Sequence, residues 1–278
     1  MGKSLSNRQI EDYRRDGFLS PVTIMSGERA LGYRRQLEAA EARFGPLHYV
    51  TKPHLLLLMA DELAHDGRLL DAVEDIIGPD ILLWDSTFII KEPGNDKYVS
   101  WHQDLTYWGI EPDDVVSIWL ALSPATVASG CMRMMPASHK SGRVEHVTTF
   151  AAANLLSRGQ TIAAELDESR AVDTPLQPGQ MSLHHGWTFH ASHPNRTADR
   201  RIGLNMNLVA PNVRQTRFDG DSAMLLRGTD RYHHFSAEPR PREDFSAEAR
   251  ALQVEINARR GLDPAGKAVT ADKTVGAK

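Results

Sequence analysis

The chain is expected to fold as an α+β domain that is mainly β, with its strands closing into a barrel or double sheet and its helices packed outside. Three observations predict this. Helical periodicity fills the first part of the chain, apolar or alternating runs broken by Pro and Gly fill most of the remainder, and no internal repeat is present. Taken in order, Ser6 and Gln9 form a capping box that opens a short helix through Ile10 and Tyr13, stopped at Gly17. A second helix starts at Ser26 and ends before Gly45. Its apolar positions Ala30, Tyr33, Leu37, Ala40 and Phe44 step by three and four and so share one face. A third runs from about Asp61 to Ile77 and is closed by Gly78-Pro79. The runs ILLWDSTFIIKEPG, VVSIWLALSP, GQMSLHHGWTFH and RRIGLNMNLVAP then read as strands. TFAAANLLSRG reads as a short helical insertion between them, and FSAEARALQVEINARRG as a final amphipathic helix. Residues 263–278, polar and rich in Ala, Gly and Lys, are expected to form a loose tail, which leaves 1–262 as one domain.

Composition narrows the function. The 278 residues carry a net charge of −4, and no Lys/Arg run exceeds two residues, so the basic patch that nucleic acid or an anionic membrane surface requires is missing. LHYVTKPHLLLLMA is the most apolar stretch near the start and is far too short to span a bilayer. The polar opening MGKSLSNRQIEDY lacks the apolar core of a secretory signal, and the lone Cys131 suits a reducing cytosol, so a cytoplasmic location is expected.

The chemistry lies in SWHQDLTYWGI. On an extended backbone His102 and Asp104 point to one face, and a histidine nitrogen with a carboxylate oxygen suits a divalent transition metal. Without a third ligand the same pair is only a His–Asp hydrogen bond. Candidates for the third cluster in LHHGWTFHASHPN, where His184, His185, His190 and His193 lie in or just after one expected strand. Downstream, NRTADRRIGLN brings Arg196, Arg200 and Arg201 together. An arginine facing inward from an apolar strand requires an anion, and its planar fork matches a carboxylate; Arg201 is read as inward, Arg196 and Arg200 as surface groups.

These segments carry a resemblance. WHQDLTYWG, SGCMRMMPASHK and FHASHPNRTADRRIGLN, in that order, resemble the phytanoyl-CoA dioxygenase family of Fe(II)/2-oxoglutarate oxygenases, and the likeness runs from about Ser6 to Ala210. It implies a double-stranded β-helix, or jelly-roll, with the N-terminal helices outside. It implies Fe(II) held by His102, Asp104 and His190, a 2-oxoglutarate cosubstrate and dioxygen. Arg201 falls where the family grips the distal carboxylate of 2-oxoglutarate, and Ser192 where a cosubstrate-contacting serine stands. Gln103 matches the middle of the HQD motif, Trp119 lies near the tryptophan that borders the cosubstrate, and Lys52 in VTK resembles an upstream cosubstrate lysine. Among the four candidate histidines the likeness selects His190. Ala137 and Ala191 stand where glycines are common. Family halogenases replace the acidic ligand by a small residue, so Asp104 argues for oxidation of a C–H bond, with succinate and CO2 released. A small-molecule substrate of specialised metabolism is expected to approach over Tyr107, Trp108 and the strand carrying Phe88. No basic cluster suits the phosphates of coenzyme A. Oxidative cyclisation or desaturation at the same centre, and a non-catalytic jelly-roll that binds a small acid, are the rival readings.

Overall fold

The computed structural model describes residues 2–156 and 159–263. The first helix, α1 (Asn7–Asp16), opens as its sequence demands: the Gln9 amide donates to Ser6 Oγ at 3.3 Å while Ser6 N donates back to Gln9 Oε1 at 2.9 Å. It ends on Gly17 at φ +83°, a left-handed conformation that glycine adopts without strain. After β1 (Phe18–Thr23) comes α2 (Gly27–Phe44), which buries Ala30, Tyr33, Leu37 and Ala40, the expected face. A short α3 (Pro53–Leu56) comes next, and the expected third helix is instead divided in two, α4 (Leu58–Ala64) and α5 (Gly67–Ile77). The chain breaks before Asp66, which is extended and caps α5 through its side chain, Oδ1 accepting from Arg68 N at 3.0 Å. A short acidic side chain satisfies exposed amides better as a cap than it packs within a helix.

The remaining elements are β2 (Ile81–Lys91), β3 (Val99–His102), the single turn α6 (Leu105–Trp108), β4 (Ile110–Glu111), β5 (Val115–Ala121), β6 (Met132–Met134), β7 (His146–Thr148), β8 (Gln160–Ile162), β9 (Val172–Thr174), β10 (Gln180–His185), β11 (His190–Ser192), β12 (Arg201–Val209), β13 (Arg214–Gln215), β14 (Ser222–Arg227), β15 (Ser236–Ala237) and α7 (Ala247–Arg259). Seven strands form one sheet in the order β1-β10-β5-β12-β2-β14-β15, and four form another, β3-β11-β6-β9. Together they make the double-stranded β-helix. Within the 149–159 stretch the expected helical insertion does not form; its described residues are turns between β7 and β8, with Gly159 at φ +60°. The loose tail expected from 263 lies, apart from Asp263, outside the described residues.

Period-2 alternation in β12 positions the site. Ile202, Leu204, Met206 and Leu208 join the core shared with the N-terminal helices, leaving Arg201, Gly203, Asn205 and Asn207 on the opposite face. On β2 a register shift around Trp84 resets the pattern, so that Phe88 and Ile90 face the helices while Asp85, Thr87 and Ile89 face the cleft between the sheets.

Lys52 belongs to this scaffold. Fully buried, its Nζ lies 2.5 Å from Glu238 Oε1, 2.5 Å from the Trp84 carbonyl and 3.1 Å from that of Ser222, while His54 Nε2 meets Glu238 Oε2 at 2.9 Å. Burial raises the Glu238 carboxyl, but the charge of Lys52 and the hydrogen bond from His54 outweigh it and hold Glu238 near a pKa of about 2. A depressed carboxyl contributes stability that is complete above its unfolded value of about 4.3 and lost as pH falls towards 2. Glu238→Gln is therefore expected to cost roughly 3 kcal/mol at neutral pH. Urea melts of the two proteins at pH 7 and pH 3 should show the difference shrinking in acid.

Candidate active site

At the end of β3 the chain turns out of the strand, so His102 and Asp104 do not share an extended backbone as their spacing suggested. Asp104 has helical angles (φ −64°, ψ −52°) and begins the single turn α6. The histidine cluster is likewise split: His184 and His185 end β10 in the large sheet, while His190 opens β11 in the small one. His190 and His102 are cross-strand partners, their rings 4.1 Å apart. One ligand atom each from His102, Asp104 and His190 lies within 4.8 Å of the other two. Asp104 Oδ1 is 3.5 Å from His102 Nε2 and 3.7 Å from His190 Nε2.

The far nitrogens settle the tautomers. His102 Nδ1 donates to the Ser100 carbonyl at 2.9 Å and His190 Nδ1 to that of Thr188 at 3.0 Å, which leaves both Nε2 lone pairs aimed at the common point. Burial, then the neighbouring His102, pushes His190 down to about 3, so the imidazole is neutral and able to ligate. Burial would raise Asp104, yet the facing imidazoles hold it well below the usual carboxylate range. Its second oxygen, Oδ2, is gripped by Ser117 Oγ at 3.0 Å and His184 Nε2 at 3.3 Å. Two imidazoles and one carboxylate oxygen on one face, with the other face open to a cleft, are the donor set of a non-haem Fe(II) site.

That cleft, about 190 Å³, is lined by all three candidate ligands and by His184, Trp119, Ser192 and Arg201. Arg201 is 1% exposed and forms no ion pair among the described residues; its Nε has no hydrogen-bond partner. Burial pushes it down to about 10, so the guanidinium stays charged. Its Cζ sits 4.7 Å above the Trp119 ring, and that ring occupies the space a side chain at Gly203 would need. A buried cation without a counter-ion marks where an anion belongs. By contrast Arg200 pairs with Glu41 and Glu92, and Arg196 with Asp96, on the surface as expected.

Other expected residues are placed differently. Gln103 does not line the cleft: its amide donates to the Gly142 and Trp187 carbonyls at 2.7 and 2.9 Å and its Oε1 accepts from Val144 N, tying the HQD turn to two loops. Lys52 is committed to Glu238. Phe88 faces the helical core; its neighbours Thr87 and Ile89 take the cleft positions. Trp108 lines the cleft, whereas Tyr107 sits edge-on to His146 behind it, 5.4 Å between ring centroids. His185 approaches Asp113, and His193 Nε2 meets Arg133 Nη1, so neither reaches the metal position. Tyr49, Asp85, Asn205, Asn207 and Leu156 complete the wall. The alternation of β12 was a signal for Asn205 and Asn207; Tyr49 and Leu156 come from loops and carried none.

The chain is similar to known proteins in sequence and fold. The family model for phytanoyl-CoA dioxygenase (PhyH) matches residues 13–203. A probable alpha-ketoglutarate-dependent hypophosphite dioxygenase of Stutzerimonas stutzeri is 30% identical over 167 residues, 59% of this chain and 57% of that protein. The chain spans about half the length of the curated relatives it matches. Among solved structures, the non-haem monooxygenase ThoJ superimposes with a TM-score of 0.80 at 33% identity, covering 91% of this chain and 95% of that one. CytC3 with Fe(II) and alpha-ketoglutarate shares the fold, with a TM-score of 0.66 at 24% identity over 88% of this chain and 97% of that one. No described helix is long and apolar enough to cross a membrane. The matched segment contains all three candidate ligands and Arg201, and on these grounds the chain belongs to the phytanoyl-CoA dioxygenase family of Fe(II)/2-oxoglutarate oxygenases.

Proposed function

We propose that this protein hydroxylates a C–H bond of a small-molecule substrate, using Fe(II) and 2-oxoglutarate and releasing succinate and CO2. The observation that carries the reading is the unpaired Arg201 guanidinium, buried in the same cleft as the His102–Asp104–His190 cluster. When bound, iron supplies the activation of dioxygen that couples cosubstrate decarboxylation to substrate oxidation. The protein's part is placement. Arg201 takes the distal carboxylate through its fork, Trp119 forms the wall beneath it, and Ser192 borders the same end. His102, Asp104 and His190 present their ligand atoms from one side, so cosubstrate and substrate share the open side. Trp108, Tyr49, Asp85, Thr87, Asn205 and Asn207, which line the same cleft, offer aromatic faces and hydrogen-bonding groups to the substrate. Burial of His102, His190 and Arg201 limits the access of bulk water to the reacting atoms.

Anaerobic addition of Fe(II) and then 2-oxoglutarate is expected to produce a weak visible charge-transfer band, followed by succinate release once oxygen and a substrate are admitted. A protein that binds 2-oxoglutarate but gives neither the band nor succinate would instead be a small-acid-binding jelly-roll. Product analysis separates hydroxylation from desaturation or cyclisation.

A further inference from the structure

Beside Arg201 lies a second buried basic group. Lys91, the last residue of β2, is the direct cross-strand partner of Arg201 and is 0% exposed. Its Nζ donates to Ser192 Oγ at 2.6 Å and to the His193 carbonyl at 2.5 Å, and among the described residues no carboxylate pairs with it. Burying an amine with this little compensation is costly, which points to a use beyond packing. Lys91 itself does not line the cleft; Ser192 and Arg201 both do, from β11 of one sheet and β12 of the other.

We propose that Lys91 is a positioning residue of the cosubstrate subsite, acting through Ser192. This rests on the reading of that subsite given above. A hydroxyl has one proton and two lone pairs. With Lys91 donating into a lone pair of Ser192 Oγ, the serine proton is left for another acceptor, and none of the described residues supplies one. The proton therefore turns into the cleft, where a carboxylate gripped by Arg201 receives it. Burial, then the charge of Arg201, pushes Lys91 down to about 6 in the protein alone. A bound carboxylate offsets the charge of Arg201 and favours the ammonium, which has no lone pair and can only donate. The grip on the His193 carbonyl also holds the strand end that follows His190.

Calorimetric titration of 2-oxoglutarate into the Fe(II)-loaded protein without oxygen tests the inference. Lys91→Met and Ser192→Ala should each weaken binding by about tenfold, as loss of a charge-assisted hydrogen bond does. The double variant should bind no more weakly than Ser192→Ala alone, because the two residues act in series. Lys91→Gln keeps an N–H donor one atom shorter and is expected to fall between Lys91→Met and the parent. Thermal melts without cosubstrate show whether each variant is folded. If Lys91→Met does not fold, Lys91→Gln in the Ser192 and Ser192→Ala backgrounds decides in the same way. Unchanged affinity in the Lys91 variants, or additive losses in the double variant, overturns the role of Lys91. Failure of the cosubstrate reading looks different: the parent would not bind 2-oxoglutarate, or Arg201→Met would bind it as well as the parent.

Discussion

Asp104→Gly is expected to lose iron and turnover together while the fold survives. Asp104 Oδ1 sits between the two Nε2 atoms at 3.5 and 3.7 Å, so removing it leaves two neutral donors and no negative charge for a divalent ion. The scaffold does not depend on this carboxylate: it begins α6 without a side-chain capping bond, and its contacts are with the metal-site histidines and Ser117. His190→Ala should do the same, whereas His185→Ala and His193→Ala, whose rings lie outside the cleft, should keep iron. His184→Ala is expected to retain the metal at an affinity lower by about 10- to 100-fold, because His184 orients Asp104 through Oδ2. Asp104→Glu moves the ligand oxygen by about 1 Å, a displacement that can cost ~10²-fold in rate. Iron content, melting temperature and succinate release measured across these variants decide the matter. An iron-loaded, active Asp104→Gly would remove the carboxylate from the metal site.

Arg201→Met is expected to abolish the response to 2-oxoglutarate and, in the same experiment, to raise the melting temperature of the cosubstrate-free protein. Arg201 is a buried charge whose compensation is the face of Trp119, so a thioether of similar length removes a desolvation penalty. A gain of roughly 1–2 kcal/mol corresponds to a few degrees for a chain of this size. The parent should gain stability on adding 2-oxoglutarate and the variant should not. Arg201→Lys keeps the charge and loses the fork, so the KM for 2-oxoglutarate should rise by at least about tenfold while iron affinity holds. A larger effect of Arg200→Lys, whose side chain is already paired with Glu41 and Glu92, would contradict the strand register.

How much of this was legible beforehand differs by element. The capping box at Ser6, the buried stripe of α2 and the inward Arg201 follow from short-range rules, where spacing alone dictates which side chains share a face. The division of the third helix hung on one cap at Asp66, a local competition that apolar periodicity does not register. Phe88 does not join the cleft wall: spacing identifies the wall strand but not its facing. A register shift near Trp84 sets that facing, and it arises from pairing with β12. Lys52 and Gln103 matched their motifs, yet partners distant in the chain took them over: Glu238 in one case, the Gly142, Val144 and Trp187 backbone in the other.

By itself, then, the sequence determined the chemistry: the residue types HQD, a following histidine and an arginine in an apolar strand specify two imidazoles, one carboxylate and one cation. Spacing alone left four histidines open and the family likeness selected His190; the tertiary structure supplies the reason, since pairing of β3 with β11 brings His190 across from His102 and leaves His184 on the other sheet to hold Asp104. It also decided that Lys91 stands beside Arg201, through the pairing of β2 with β12. The physical reason is the same in both cases. Residue type sets what a group can bind, whereas cross-strand register, a relation between segments far apart in the chain, sets which groups meet.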